Sequence, residues 1–404
     1  MTELALDDKS ALPRPSGITA PAEPRVVAVV PFSGFHAFQF TGTGSEYFRI
    51  WIVNLLLTIV TLGIYSAWAK VRRLEYFYRN TRLDGAIFDY HGSPKAILKG
   101  RILAFGLFAA YKIAFDISGM VAALIALLLV IILPWLLSRS FRFRLANSSY
   151  RGVRFYFSGT VMDAYRSLIL LPVILLLTAL FVWSLYTSYQ SHPGVGVVLL
   201  VAILPILAIS AVIPMAHFLL KRYQHDHAYF GQSPFFFHAR AKDFFKIYGK
   251  AVGLVLFATF ATGVFGMATM KFGRALANTP FAWLFSFLLA SLSGYVWYLF
   301  VRPYLESRIQ NLVWNKTELG DYRFVSTATA RQLLWIHATN LLLLICTAGL
   351  YKPFAAIRLL RYRLACLSLQ ADQTLDEVLA NQTAERVGAT AQEAGDFFDM
   401  DIAL

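Results

Sequence analysis

The densest group of side chains able to ligate metal or carry protons is His217, His225, Asp226, His227 and His238. On a strand His225 and His227 would share a face, as two ligands of one metal must; on a helix they would not. The same residues read equally as polar groups in a basic loop at a membrane surface. Asn54 and Asn340 stand inside apolar stretches. An amide in that setting marks either a solute path or an interhelical hydrogen bond, so these two are the candidate solute-path residues. Lys112 and Asp116 lie one helical turn apart and predict a local ion pair. Cys346 and Cys366 have no metal or disulfide spacing and read as packing residues. The sequence contains no phosphate-binding glycine loop, nucleophile elbow, His-Glu-x-x-His or Cys-x-x-Cys pair. Apart from Asp116 at an edge, the apolar stretches hold no carboxylate of the kind proton- or sodium-driven carriers use. No catalytic residue, cofactor or metal is expected, and the chain reads as a non-enzyme.

The elements that would position these residues are apolar. Of 404 residues, 57% are hydrophobic and 15% charged, against roughly 25% charged in an average soluble domain. The net charge is nevertheless +14 and the mean hydropathy +0.56. That combination excludes a disordered chain, a soluble multidomain enzyme and a secreted disulfide scaffold, and points to a polytopic membrane protein. Eight segments approach the roughly 20 apolar residues of a spanning helix: 50–69, 97–117, 119–138, 167–188, 194–217, 248–270, 281–301 and 333–352. Long polar connections alternate with short turns. The four long connections hold 23 Lys or Arg, whereas the short turns hold Lys112, Lys271 and Arg274, which places the long connections in the cytoplasm. Loop charge bias thus accounts for the basicity, and nucleic acid is not an expected partner. The Pro-rich stretch 1–31 reads as a disordered tail and 371–404 as an acidic one, leaving 32–370 as the membrane domain.

A recurring spacing organises that domain. An aromatic-x-aromatic-x-small pattern begins near 38, 88, 155, 235 and 324: Phe38-Phe40-Gly42, Phe88-Tyr90-Gly92, Phe155-Phe157-Gly159, Phe235-Phe237-Ala239 and the degenerate Phe324-Ser326-Ala328. Each follows a glycine and precedes an apolar segment, so each predicts a turn and short strand leading into a helix. On the way out, an aromatic is followed by Arg, as at Trp68-Arg72, Trp135-Arg139, Tyr304-Arg308 and Phe354-Arg358. Pro134 and Pro303 are expected to kink or end their helices. Asn54–Tyr65 and Asn340–Tyr351 share eight of twelve residues, and these two segments either span or re-enter, with Gly63 and Gly349 as the turning points. The expected fold is therefore all-α: a polytopic bundle of about eight apolar helical segments built from five related copies, with a cytoplasmic layer of short strands and amphipathic helices. Arg72, Arg139, Arg142, Arg144, Arg308 and Arg358 are candidate headgroup contacts, and membrane lipids are the expected partner.

The stretch FTGTGSEYFRIWIVNLLLTIVTLGIYSAWAKVRRLEYFYRNTRLDGAIFDYHGSPKAILKGR (Phe40–Arg101), with the TAGLYKPFAAIRLLRYR return, resembles the YjgN family of bacterial inner-membrane proteins. The resemblance extends over 32–370. It implies an inner-membrane location and carries no settled activity, so no catalytic residue follows from it. The functional expectation is a transporter or channel for a small or lipid-like solute, with a non-catalytic envelope scaffold or lipid-interacting protein as the alternative.

Overall fold

The structure is a computed structural model, and it describes residues 34–191, 195–276 and 281–371. Strand β1 (Gly34–Phe40) leads into helices α1 (Gly44–Val60) and α2 (Ser66–Arg79), which return to β2 (Thr81–Leu83). Strand β3 (Ala86–Tyr90) leads through α3 (Pro94–Ile117) and α4 (Gly119–Ala146) to β4 (Ser148–Tyr150). Strand β5 (Val153–Phe157) leads through α5 (Val161–Leu168), α6 (Leu170–Ser191) and α7 (Val195–Asp226) to β6 (Ala228–Phe230). Strand β7 (Ser233–Phe237) continues into α8 (Ala241–Leu276) and α9 (Ala282–Asn315), ending at β8 (Thr317–Leu319). Finally β9 (Tyr322–Ser326) runs through α10 (Ala330–Cys346) and α11 (Lys352–Ala365) to β10 (Leu367–Ala371).

These ten strands form a closed antiparallel barrel, which overturns the all-α expectation. Two-residue loops join β2–β3, β4–β5, β6–β7 and β8–β9, and β10 pairs with β1 to close the circle, Gly34 opposite Ala371. Closure leaves no unpaired edge. Two of the loops hold both central residues at positive φ, Asp84 and Gly85 at 48° and 72°, Arg151 and Gly152 at 48° and 79°. That backbone twist suits a tight hairpin. The barrel was hidden because β2, β4, β6 and β8 are three residues long, too short to show alternation, and merge with the basic helix ends before them. The eight-span description falls with it. Among the described residues three helical stretches are long and apolar enough to cross a membrane: Gly119–Ala146, Val161–Ser184 and Ala241–Ala261.

The aromatic pattern supplies the barrel's contents. Phe38, Phe88, Phe155, Phe235 and Phe324 point inward and join Tyr150, Phe230 and Leu369 in one apolar core. Their rings run around the axis: Phe88–Tyr150 at 4.6 Å, Tyr150–Phe230 at 6.0 Å, Phe155–Phe230 at 4.9 Å and Phe235–Phe324 at 6.2 Å between centroids. The barrel is a packed plug. Two residues on, Phe40, Phe157 and Phe237 lie on the same strand face and reach past the rim to pack among the helices. The small residue that follows keeps space for the ring. A Cβ at Gly42 would stand 2.8 Å from Phe40, and one at Gly159 would stand 2.9 Å from Tyr223.

Each helical hairpin leaves and re-enters the barrel at the same end, because it joins two neighbouring antiparallel strands. Each helix packs on the next, and α11 packs on α1, so the helices form a ring above the barrel. Thr43–Glu46 and Thr160–Asp163 capping boxes start α1 and α5, and Asn80 and Asn147 end α2 and α4 by bonding Tyr76 O and Phe143 O. The chain reverses between α1 and α2 at Leu62–Gly63 and between α10 and α11 at Ala348–Gly349, all at positive φ. At 17 residues, α1 and α10 are each about 25 Å long. Stretches 50–69 and 333–352 are thus broken by these reversals and neither forms one continuous helix. Pro134 and Pro303 lie inside α4 and α9, where the helix continues through them. The Ile131 carbonyl of α4 accepts the Tyr165 hydroxyl at 2.6 Å.

Candidate functional site

The sequence-predicted amides line two cavities that share Ala356 of α11 as a wall. The first, about 510 Å³, lies among α1, α2 and α11 and receives Arg101 from α3. Asn54 is buried there, and its Oδ1 makes no hydrogen bond within the protein. Trp51, Leu55 and Pro353 supply apolar wall, while Lys70, Arg73, Arg101 and Lys352 supply four cations; no carboxylate is among the lining residues. Partial desolvation, and then the guanidinium groups of Arg101, Arg144 and Arg73, lower the Lys70 ammonium from its ordinary range. Such a chamber offers donors and positive charge to an anion and an apolar wall to a hydrocarbon part.

The second cavity, about 570 Å³, lies between α9, α10 and α11. Asn340 is buried at its wall, with Nδ2 donating to Ala355 O at 3.4 Å and Oδ1 accepting from Arg358 at 3.5 Å. Its rim carries a network that sequence reasoning missed. Arg302 donates from Nε to Glu306 at 2.6 Å and bonds the Tyr298 hydroxyl, and His337 Nε2 lies 2.9 Å from the other Glu306 oxygen. Burial works to raise the Glu306 carboxyl, but the bonds from His337 and Arg302 outweigh it and hold it at about 2. Glu306 falls in the stretch read as a polar connection, so its approach to His337 had no signal beyond the residue types.

The headgroup candidates separate on the structure. Arg139 and Arg308 are exposed and lie over the rings of Trp135 and Tyr304, at 5.5 and 6.0 Å. Arg72 is exposed and bonds the Tyr65 hydroxyl at 3.3 Å. Arg142 is turned to the Gly159 carbonyl at 3.1 Å, and Arg358 to Thr339 Oγ1 at 2.7 Å. Arg144 makes no side-chain hydrogen bond or ion pair among the described residues. The histidine cluster does not converge. His217 bonds Tyr248, His225 bonds Thr317, His227 faces Asp163 and His238 faces Glu318, while Asp226 accepts from the Phe237 amide. Lys112 and Asp116 pair at 3.5 Å on an exposed helix face.

A sealed barrel that carries apolar helical hairpins and basic chambers at its mouth defines a membrane protein whose solute-sized spaces lie among the helices. The comparisons with known proteins agree. Residues 35–397 match the family described as bacterial protein of unknown function (DUF898). The chain is 26% identical over 355 residues to the inner membrane protein YjgN of Salmonella typhimurium (strain LT2), covering 83% of this chain and 89% of that protein. It is 31% identical over 185 residues to the Escherichia coli (strain K12) inner membrane protein YjgN, covering 43% of this chain and 45% of that one. No solved structure matches. The chain belongs to the YjgN family and is a protein of the bacterial inner membrane.

Proposed function

We propose that this protein is a transporter or channel for a small or lipid-like anionic solute, and that the Asn54 cavity lies on the solute's path. The observation that supports this reading most is the pairing of Lys70, Arg73, Arg101 and Lys352 with an unbonded Asn54 carboxamide oxygen in a 510 Å³ space without a carboxylate. Cations crowded together raise one another's free energy, and a bound anion relieves it. The long basic connections, on this reading, face the cytoplasm. A second reading, a non-catalytic lipid-interacting scaffold, is favoured by Arg139 and Arg308, whose placement over exposed-edge aromatics suits a headgroup layer.

The test is mass spectrometry of gently purified full-length protein for retained small molecules and lipids. An anion that co-purifies with the wild type and is lost in Arg73→Gln/Arg101→Gln, at unchanged membrane abundance, is the expected result. A wild type that retains nothing anionic, or a variant that retains the anion fully, would overturn the solute reading. Loss on neutralising Arg139 and Arg308 instead would favour the scaffold.

A further inference from the structure

The Asn54 and Asn340 cavities are lined by the same positions of two repeat copies. Asn54, Leu55 and Ala69 of the first recur unchanged as Asn340, Leu341 and Ala355 of the second. The interval along the sequence is constant, so α1 and α2 correspond to α10 and α11 residue by residue. Four further lining positions correspond at that interval with the residue changed: Trp51 is matched by His337, Thr58 by Leu344, Lys70 by Ala356 and Arg73 by Leu359. The third wall recurs as well. In each cavity a neighbouring helix of the ring contributes the cation that stands just before its proline, Lys352 before Pro353 of α11 and Arg302 before Pro303 of α9.

The changes remove positive charge. Where the first cavity has Lys70 and Arg73, the second has the methyl group of Ala356 and the isobutyl group of Leu359, so that its wall along α10 and α11 is apolar. Its one lysine or arginine among the lining residues, Arg302, is already neutralised: Nε donates to Glu306 at 2.6 Å and a second nitrogen donates to the Tyr298 hydroxyl. The other Glu306 oxygen faces His337 Nε2 at 2.9 Å. An anion entering this space would meet a carboxylate that holds the available cation, and a charge left unpaired there is costly. A neutral oxygen has partners. Tyr298 accepts from Arg302 and keeps its own proton to donate, and the two bonds of Asn340, at 3.4 and 3.5 Å, are long enough to yield to a better one. The volume, about 570 Å³, lies within the range of small-molecule pockets.

We propose that the Asn340 cavity is a second ligand site, which takes an uncharged single-chain amphiphile, its hydrocarbon chain against α10 and α11 and its neutral hydroxyl or carbonyl end at Tyr298 and Asn340. The repeat thus carries one pocket in a cationic form and again in a neutral form. The second site stands whether or not the Asn54 cavity conducts an anion, because it rests on its own walls and its own ion pair.

The experiment is photolabelling of the full-length protein in nanodiscs with two probes, a long-chain alkanol and the alkanoate of equal length, each carrying a diazirine in its chain. Labelled peptides from α10 and α11 are quantified by mass spectrometry and normalised to labelling of α3, at a pH where the carboxylate is fully ionised. The alkanol is expected to label them about tenfold more than the alkanoate, which would bring an unpaired charge beside Glu306. Leu344→Trp, which fills the cavity from α10, is expected to lose that labelling, whereas Leu342→Trp, on the exposed face of the same helix, should keep it. Leu359→Arg restores the cation that Arg73 supplies in the first cavity and is expected to reverse the preference toward the alkanoate. That gain of labelling keeps the test decisive if Leu344→Trp fails to fold. Equal labelling of wild type by the two probes, no alkanol label on α10 and α11, equal effects of Leu344→Trp and Leu342→Trp, or an unreversed preference in Leu359→Arg would each overturn the proposal.

Discussion

Replacing the two buried amides by leucine should move stability in opposite directions. Asn54 Oδ1 is buried and makes no hydrogen bond within the protein. Leaving a buried acceptor unsatisfied costs about 1–3 kcal/mol, and an apolar group of similar shape removes that penalty. Asn54→Leu is therefore expected to stabilise the protein by about 1–2 kcal/mol. Asn340 makes two long bonds, 3.4 Å to Ala355 O and 3.5 Å from Arg358, and Arg358 retains its bond to Thr339 without them. Asn340→Leu should therefore cost about 0.5–1.5 kcal/mol, the ordinary net value of such bonds. In a domain of this size each kcal/mol moves Tm by roughly 2 °C, so the two variants should melt several degrees apart. The assay is scanning fluorimetry of full-length protein in one detergent, with ligand retention measured on the same samples. Loss of the retained anion by Asn54→Leu together with a raised Tm is the expected pair of results. If Asn54→Leu melts as low as Asn340→Leu, the Asn54 amide is structural glue, and the argument for an unbonded oxygen kept for solute fails.

Other perturbations test the frame around these cavities. His225, enclosed by Phe237 and Trp314, is lowered to about 3 by burial first and then by the Lys221 charge. Its folded value lies below its unfolded one, so its contribution is complete above about pH 6.5 and is lost as pH falls toward 3. Tm should therefore decline through that window, and His225→Gln should flatten the decline. Gly159→Val would drive its side chain into Phe157 and Tyr223 and should cost about 1–3 kcal/mol by overpacking, read as a lower Tm. Gly63→Ala meets no neighbour yet must hold φ at 93°, so a loss of about 1–2 kcal/mol is expected from backbone strain alone. An alkaline phosphatase fused after residue 365 should be inactive if the barrel mouth faces the cytoplasm, and strong activity there would reverse the orientation.

Much of the local structure was legible. The aromatic-x-aromatic-x-small spacing identified β1, β3, β5 and β7, because side chains two apart share a strand face and a small residue beyond them leaves room for the second ring. The apolar stretches 97–117, 119–138 and 248–270 lay on helices. The barrel was not legible. Half of its strands follow a helix directly, and its closing pair joins Gly34 to Ala371, a contact between the two ends of the described chain. The candidate site divided in the same way. Asn54 and Asn340 were visible as polar residues in apolar surroundings, whereas Glu306 looked like loop charge and its partner His337 lay in the apolar segment 333–352 without any mark of the pairing.

The sequence by itself determined a basic membrane protein with apolar helices and short aromatic strands, since composition and residue spacing act within a few residues of one another. Only the tertiary structure decided that the aromatic strands close into a sealed barrel rather than lie as a layer. It also decided that Asn54 and Asn340, far apart in the chain, stand in cavities that share Ala356 as a wall. Both outcomes depend on pairing between distant segments, which local residue patterns do not encode and ring closure imposes.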